Sequence, residues 1–282
     1  MSNIVASQTH FLKRDGLYDV EKPYSLRFTP PKGFSRANIK LERHEISIND
    51  VRSRTKPLVF QEHGFQLLPF HSCMQYADFD DDEIVKRIYL REAANLLRDH
   101  LGAQKVQIFE HTVRKRHDTF PISTGEAYQW NQPTSIAHVD TTTRWAVDMA
   151  RQLNPGNEEI GKHRIQCVNL WKPIKGPVKD WPLAMCDPTT VDEEKDLEPC
   201  DLVYPDYVVE NRQLYRNASQ AWWWCKDQME HEAWIFLQSD TDTSTRPGKP
   251  PAALCTSLID EMSEPRESIE LRALLYYGAM YD

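Results

Sequence analysis

The clearest hydrophobic pattern in the chain lies at residues 81–101, where apolar side chains recur at roughly helical spacing. An acidic run beginning at Asp80 suits the positive end of a helix dipole, and Gly102 suits a C-terminal cap. A second helix is predicted at residues 144–153. The pattern therefore places both helices before most of the predicted strands.

Short strand-like runs dominate the rest of the sequence. Early runs cover residues 59–68, with a turn at Gly64, and residues 106–109. Later runs cover residues 164–171, 183–186, 222–226, 233–238 and 269–277. Many short strands separated by Pro- and Asp-rich turns are typical of a barrel or jelly roll. We therefore predict an α+β, mainly-β fold whose helices pack on one side of a β-barrel.

The first 57 residues differ in character from the remainder. Residues 1–57 are polar and contain Pro23, Pro30 and Pro31, which predicts an N-terminal arm with short strands. Residues 58–282 then form the main domain, so that we expect a single domain overall.

Composition argues against several classes of function. The net charge of −8 argues against nucleic acid as the main partner and against an anionic membrane surface, because phosphate binding needs clustered Lys and Arg. No apolar run approaches the ~20 residues that span a bilayer. The N-terminus lacks the apolar stretch of a signal peptide, so we expect a cytoplasmic protein.

The cysteines and glycines argue against two further kinds of site. The cysteines form no C-x-x-C pair and should be reduced thiols. The sequence contains no Gly-rich loop of the kind that binds a nucleotide cofactor.

The sharpest chemical signal is the pair His138 and Asp140, in the string Ala-His-Val-Asp-Thr. On a strand, residues i and i+2 point to the same face, so that an imidazole nitrogen and a carboxylate oxygen can reach one metal ion. A second histidine from a distant strand would complete the 2-His-1-carboxylate face that holds Fe(II) with open positions for a co-substrate and dioxygen. The alternative is a solvated His and Asp on a turn, since H-x-D arises by chance in many proteins.

Longer blocks accompany this pair. They are His-Thr-Val-Arg-Lys-Arg from His111, Arg-Ile-Gln-Cys-Val-Asn-Leu-Trp-Lys-Pro-Ile-Lys-Gly-Pro-Val from Arg164, Asp-Trp-Pro-Leu-Ala-Met-Cys-Asp from Asp180 and Pro-Arg-Glu-Ser-Ile-Glu-Leu-Arg from Pro265. Over about residues 60–277 they resemble the AsaB-type hydroxylase/desaturase family, which includes gibberellin desaturase and cephem methoxylase-like proteins. The resemblance implies a double-stranded β-helix core (jelly-roll, cupin-like) with flanking helices. It also implies dependence on iron(II) and 2-oxoglutarate and a role in tailoring natural products.

The resemblance assigns roles to five residues. His138 and Asp140 match the first two iron ligands. Arg266 and Ser268 match the Arg-x-Ser pattern that clamps the distal carboxylate of 2-oxoglutarate, a role that suits a planar guanidinium. Arg272 is a second candidate for the same clamp. The alternative for either arginine is a structural ion pair.

The sequence departs from the family pattern at the third metal ligand. Cys255 stands where the resemblance places a histidine, and no histidine follows His231. A Cys255 thiolate is a competent, soft metal ligand, and His231, in an acidic segment, is the other candidate. The simplest interpretation is a broken triad that holds Fe(II) weakly, since metal affinity follows ligand identity and count.

Three functions remain open. In the first, the chain is a hydroxylase or desaturase that uses His138 and Asp140 with an atypical third ligand on an apolar small molecule. Residues 222–224, all tryptophan, are candidates for the wall of its pocket, although a cluster of tryptophans more often belongs to the core. Alternatively, it is the non-catalytic half of a paired fungal meroterpenoid oxygenase, forming a heterodimer with an active paralogue; a homodimer is the other assembly left open. The third function is that of a redox-neutral isomerase or binding protein on the same scaffold.

Overall fold

The computed structural model describes residues 4–122, 127–245, 254–258 and 264–278. The start of the predicted arm, residues 1–3, and the end of the predicted main domain, residues 279–282, lie outside the described residues. The strands are β1 (Ile4–Leu12), β2 (Tyr24–Leu26), β3 (Leu41–Asp50), β4 (Phe65–Pro69), β5 (Lys105–Lys115), β6 (His138–Val139), β7 (Arg164–Pro173), β8 (Leu183–Cys186), β9 (Leu197–Val203), β10 (Val208–Leu214), β11 (Trp222–Trp224), β12 (Glu232–Asp240), β13 (Leu254–Ser257) and β14 (Glu267–Tyr277). The α-helices are α1 (Phe60–His63), α2 (Asp82–Ile84), α3 (Leu90–Leu101), α4 (Thr143–Leu153) and α5 (Glu193–Asp196), and a π-helical turn covers Val85–Tyr89. Short 3-10 helices cover Gly16–Asp19, Val51–Ser53, Tyr76–Asp80, Glu158–Lys162, Pro188–Thr190 and Thr243–Thr245.

The strands form two sheets. The larger has nine strands in the order β1-β3-β11-β8-β13-β6-β10-β9-β2, and the smaller has five in the order β4-β12-β7-β14-β5. Most neighbouring strands are antiparallel, and many are far apart in sequence, as β14 is from β7 and β5. The mainly-β class predicted from the short alternating runs is confirmed.

The predicted N-terminal arm supplies strands to the larger sheet. β1 has nine residues and β3 has ten, so both are longer than the short strands expected for residues 1–57. β3 also pairs with β11, which joins the arm to the remaining strands. Ile46 and Ile48 are buried while their neighbours are exposed or half-buried, a period-two pattern that the polar composition of the segment conceals.

Both predicted helices are present. The helix expected at residues 81–101 is interrupted by the π-helical turn between α2 and α3, and it begins at Asp81, whose carboxylate accepts backbone hydrogen bonds in the first turn. Gly102 ends it with a φ of 70°. Thr142 caps α4 in the same way as Asp81 caps α2.

The strand predicted at residues 59–68 is wrong in its first half. Phe60–His63 forms the helical turn α1, and Gly64 ends that turn with a φ of 72°. Only Phe65–Pro69 is extended and pairs, with β12. Phe60 is buried in the core, so its burial and not strand formation accounts for the apolar run.

Apolar and polar side chains alternate along β14, so that one face of the strand belongs to the main core and the other is polar. Ile269 and Leu271 pack with side chains of α3 and β7 in the largest apolar cluster. Ser268, Glu270 and Arg272 lie on the opposite face of the strand, toward the nine-stranded sheet. The five-stranded sheet therefore buries apolar side chains on its helix side and carries polar ones on the side where the two sheets meet.

Among the helices of the described residues, none is both long enough and apolar enough to cross a membrane.

Candidate metal and carboxylate site

A pocket between the two sheets collects the charged residues of the sequence motifs. Its empty volume is about 350 Å³, counting the open mouth. Its lining comes from both sheets and is mostly polar. The lining residues are Arg114, Thr134, His138, Asp140, Trp171, Leu183, Cys255, Thr256, Ser257, Arg266, Glu270 and Arg272.

His138 lies where three strands of the larger sheet meet. It pairs with Gln213 of β10 on one side and with Cys255 of β13 on the other. Its Nδ1 lies 2.6 Å from the carbonyl oxygen of Ile136, so that Nδ1 carries a hydrogen and donates it. Its Nε2 lies 3.2 Å from Oδ1 of Asp140. The two side chains of the H-x-D string thus meet, as the strand geometry predicts.

Donors already surround the Asp140 carboxylate. Arg272 donates from Nη2 to Oδ1 at 2.8 Å, and Asn169 donates from Nδ2 to Oδ2 at 2.6 Å. The other Nη of Arg272 donates to Glu110 at 3.0 Å. Burial acts to raise the pKa of Asp140, but the charge of Arg272 and the hydrogen bond with His138 together outweigh it and hold that pKa well below its usual range. Asp140 is therefore an ionised carboxylate paired with a guanidinium.

Two polar residues of this region are missed by the sequence interpretation. Asn169 joins two carboxylates, because its Nδ2 also donates to Oε1 of Glu270 at 3.0 Å. Burial, and then the charge of Asp140, raise the pKa of Glu270. The signal that points to Glu270 is its position two residues from both Ser268 and Arg272 on one strand face.

Cys255 lies directly beside His138 in the pairing of β13 with β6. Its side chain is buried, and burial raises the pKa of the thiol well above its ordinary value. The charges of Asp140 and Glu270 act in the same direction. Because the thiolate is the metal-binding form, a metal ion bound through this sulfur would have to displace the thiol proton.

Arg266 is buried at the opposite end of the pocket lining, with an exposed fraction of 4%. Its Nη1 donates to the carbonyl oxygen of Trp181 at 2.7 Å and to Oγ of Ser257 at 2.8 Å, and its guanidinium lies 5.4 Å from the centre of the Trp171 ring. Its Nε and the Oγ of Ser268 are buried and have no hydrogen-bond partner among the described residues. Two buried donors without an acceptor indicate a place for a ligand oxygen.

A buried ion pair anchors Arg266. Oδ2 of Asp180 accepts a hydrogen bond from Nε of Arg116 at 2.5 Å and another from the backbone N–H of Arg266 at 2.9 Å. Burial, and then the charge of Arg114, lower the pKa of Arg266 to about 9, so that it remains a cation at neutral pH. The start of β14 is thus fixed to the segment that precedes β8.

Comparison with known proteins gives the family. Residues 10–276 match the family model described as an oxidoreductase/YMDC permease-like domain. The alpha-ketoglutarate-dependent dioxygenase tstK of Talaromyces stipitatus is 30% identical over 237 residues, which cover 82% of this chain and 84% of that protein. The Fe(II)/2-oxoglutarate-dependent dioxygenase nvfI of Aspergillus novofumigatus is 27% identical over 259 residues, covering 89% and 90%. The hydroxylase/desaturase efuI of Hormonema carpetanum is 26% identical and covers 85% of each chain.

The chain belongs to the iron(II)/2-oxoglutarate-dependent oxygenase family, in its hydroxylase/desaturase branch. A solved structure of the iron and alpha-ketoglutarate-dependent endoperoxidase NvfI superposes with a TM-score of 0.82 at 23% identity, covering 98% of this chain and 99% of that one. At that identity the likeness concerns the fold. The predicted double-stranded β-helix of this oxygenase-family protein is confirmed.

The oxygenase family implies iron, and the described residues bring together two of the three protein ligands of such a site. His138 and Asp140 are close enough to serve as two ligands of one ion. Within the described part of the chain, however, no group of three His, Cys, Asp or Glu side chains is arranged to hold a metal ion. His231 is absent from the pocket lining and stacks on His71, with ring centres 5.4 Å apart.

The other cofactor of the oxygenase family, 2-oxoglutarate, fits the opposite end of the pocket. Arg266 and Ser268 are the residues that the resemblance matches to the carboxylate clamp, and both carry a buried donor without a partner among the described residues. Carboxylate oxygens are acceptors of the kind that these two donors lack. Arg272, the second candidate for the clamp, donates to Asp140 and Glu110 instead.

Residues 222–224 are absent from the pocket lining and pack in or against apolar clusters, which is the commoner role for a run of tryptophans. Trp222 is 1% exposed and packs edge-on against Phe11, in an apolar cluster of the larger sheet. The tryptophan in the pocket lining is Trp171 of β7. The run belongs to β11, which lies between β3 and β8, and a cluster of tryptophans serves the core there.

Proposed function

We propose that this oxygenase-family protein has a degenerate metal triad and acts in fungal natural-product biosynthesis of the meroterpenoid kind, in complex with an active paralogue. The observation that carries the proposal is Cys255. It is a buried thiol with a raised pKa, lies beside His138, and occupies the position that the resemblance assigns to the third ligand.

The surrounding charges support the same conclusion. Bound iron(II) and 2-oxoglutarate supply the oxidising chemistry of the relatives named for them. In this chain Arg266 and Ser268 would hold the distal carboxylate of 2-oxoglutarate. His138 and Asp140 would hold iron weakly, because they are two ligands and Asp140 is already paired with Arg272. This arrangement supports binding without turnover.

Anaerobic titration of the metal-free chain with Fe(II), followed by calorimetry, tests the metal half of the proposal. We expect negligible binding, and no succinate formed from 2-oxoglutarate when the iron-treated protein meets air. Tight binding with steady consumption of 2-oxoglutarate would instead support an active hydroxylase or desaturase with an atypical third ligand. The Cys255→Ala variant then tells whether the thiol is that ligand, since binding through sulfur is lost in it.

Co-expression tests the partner half. A tagged full-triad paralogue should retain the untagged chain through affinity and size-exclusion chromatography, at a mass that corresponds to one copy of each. A chain that elutes as its own dimer, or never co-purifies, would remove the heterodimer from the proposal. Incubation with the paralogue's substrate under chelator and without oxygen tests the isomerase alternative, which predicts a product of unchanged mass.

A further inference from the structure

A groove lies outside the pocket between the sheets, between α4 and the turn that joins β9 to β10. Trp145 and Met149 of α4, which are one helical turn apart, form one wall. Tyr207 of the turn and Val208 at the start of β10 form the other. The empty volume of the groove is about 740 Å³, counting its open side, which is enough space for a small molecule.

The groove lies on a second apolar face of α4. The buried side chains of Ala146 and Ala150 belong to the apolar cluster that joins this helix to β7 and β14. Trp145 and Met149 each come one residue earlier on the helix and are only partly buried. Across the groove, Tyr207 is 55% exposed. The core of the protein therefore leaves this apolar surface uncovered.

A second aromatic ring supports each wall of the groove. Trp145 packs against Phe109, with ring centres 5.7 Å apart. Phe109 is the extra residue of β5 at the register shift in its pairing with β14. Tyr207 stacks on Tyr204, with ring centres 4.5 Å apart and ring planes within 9° of each other. Because both walls are ordered before a ligand arrives, binding loses less conformational entropy.

The groove ends beside an ion pair of the metal end. Glu110 follows Phe109 on β5 and accepts a hydrogen bond from Arg272, which also donates to Asp140. Burial raises the pKa of Tyr207, and the charge of Glu110 raises it further, so that the tyrosine hydroxyl lies within electrostatic reach of that carboxylate. A molecule in the groove thus lies next to the residues that pair with Asp140.

The polar side chains of the groove offer hydrogen-bond acceptors. Asp148 and Gln152 lie in the lining, on the same stripe of α4 as Trp145. The charge of Asp148 is balanced by Arg151, whose Nη1 lies 3.1 Å from Oδ1. An ionised carboxylate has about four acceptor positions, so that Asp148 can still accept from a ligand hydroxyl. The balanced charge favours a neutral ligand over a cation.

We infer that this groove binds a neutral, apolar fused-ring molecule that carries a hydroxyl group, with its rings between Trp145 and Tyr207 and its hydroxyl donating to Asp148. The inference goes beyond the proposed function, because neither a metal ion nor the paralogue takes part in this binding. A second copy of the chain is the other candidate occupant. The concave shape between two supported rings favours a flat small molecule over a protein surface.

Equilibrium dialysis of tritiated estradiol against excess full chain in EDTA tests the inference, since estradiol combines fused rings with hydroxyl groups. We expect a dissociation constant of roughly 10–100 µM, which the ligand efficiency of drug-sized molecules gives for about 20 non-hydrogen atoms. Val208→Glu should weaken binding at least about tenfold, because the ligand would bury the new carboxylate. Val20→Glu is the matched control, at a valine that is 86% exposed and lies outside the groove, and should leave binding unchanged.

Two further comparisons define the occupant. The dimethyl ether of estradiol lacks hydroxyl hydrogens and should bind at least about threefold more weakly than estradiol. Tyr207→Ala removes one wall and should weaken estradiol binding about two- to tenfold. Tetramethylammonium should not displace estradiol, because the charge of Asp148 is already balanced.

Several results would overturn the inference. They are no estradiol binding, equal binding by Val208→Glu and the unaltered chain, equal binding of the ether, or displacement by tetramethylammonium. A dimer in size-exclusion chromatography that Val208→Glu abolishes and estradiol leaves intact would assign the groove to a second copy of the chain. Iron titration reports on the proposed function alone, so that its outcome and that of the estradiol titration are separable.

Discussion

The two ends of the pocket differ in how their polar groups are satisfied. At the metal end, the His138 ring contacts the Asp140 carboxylate. Arg272 donates to one oxygen of that carboxylate and Asn169 donates to the other. At the clamp end, formed by Arg266 and Ser268, buried donors lack an acceptor among the described residues. The Asp140 carboxylate is paired without an ion, although Oδ1 of Asn169 beside it is buried and lacks a donor among the described residues, whereas the unpaired groups at the clamp end are donors. The donors that the pocket has left for an anion therefore lie at the clamp end.

The largest effect on stability is expected at the anchor of the clamp end. Asp180→Asn leaves the buried guanidinium of Arg116 without its carboxylate, and breaking a buried pair costs about 3–5 kcal/mol. Urea unfolding followed by tryptophan fluorescence measures this cost. The control is Asp148→Asn, whose ion pair with Arg151 is exposed and should cost less than about 1 kcal/mol. Equal costs would mean that the anchor does not hold β14 in place.

Arg272→Met tests the metal end. It removes the cation from buried Asp140 and should cost about 3 kcal/mol near neutral pH. In the native chain the pKa of Asp140 lies below its value in the unfolded chain. The stability that ionised Asp140 contributes is therefore fully present above the unfolded pKa and is lost as the pH falls from there through the folded pKa. In the variant burial dominates and the pKa of Asp140 rises. Unfolding measured from pH 4 to 7 should then show stability that falls as pH rises, and an unchanged profile would contradict the pairing.

Lys172 provides a third case, a buried cation that forms no ion pair in the part of the chain that the structure describes. It lies on the helix-facing side of β7 with its Nζ 5.4 Å from the ring centre of Phe70, and burial lowers its pKa to about 8. Since the unfolded chain binds this proton up to higher pH, native stability should rise between about pH 8 and 10. Lys172→Met should add about 1–3 kcal/mol at pH 7 and remove that rise.

The matched control for Lys172→Met is Lys175→Met, at a half-exposed position nearby, which should change neither quantity. A less stable Lys172→Met protein would show that the aromatic contacts of the ammonium outweigh its desolvation.

The smallest effect is expected for Ser268→Ala in the absence of ligand. Removing a buried hydroxyl that has no partner within the described ranges should change the free energy of unfolding by less than about 0.5 kcal/mol, or stabilise the protein slightly. Thr256→Val is the comparison, since Thr256 hydrogen-bonds Thr9 at 2.6 Å and its loss should cost about 1–2 kcal/mol. A cost for Ser268→Ala as large as for Thr256→Val would show that the hydroxyl is already satisfied.

Local pattern predicted most of the helices and strands, and it failed where distant strands meet. The clamp that the resemblance assigns to Arg266 and Ser268 stays a prediction. The helix at residues 81–101 and the meeting of His138 with Asp140 follow from spacing along the chain. The contacts of Asn169 and Arg272 depend on the register of β7 and β14 relative to β6, which no local pattern reveals. The choice of Trp171 over residues 222–224 as the pocket wall likewise depends on strand order.

The most direct test of the central claim is the Fe(II) affinity of Cys255→His compared with the unaltered chain, measured anaerobically without 2-oxoglutarate. We predict negligible binding by the unaltered chain and a gain of at least about tenfold in the variant, since metal affinity follows ligand identity and count. Cys73→His, at an exposed position, controls for the added imidazole and should show no gain. Iron binding by the unaltered chain as tight as that of Cys255→His would contradict the account.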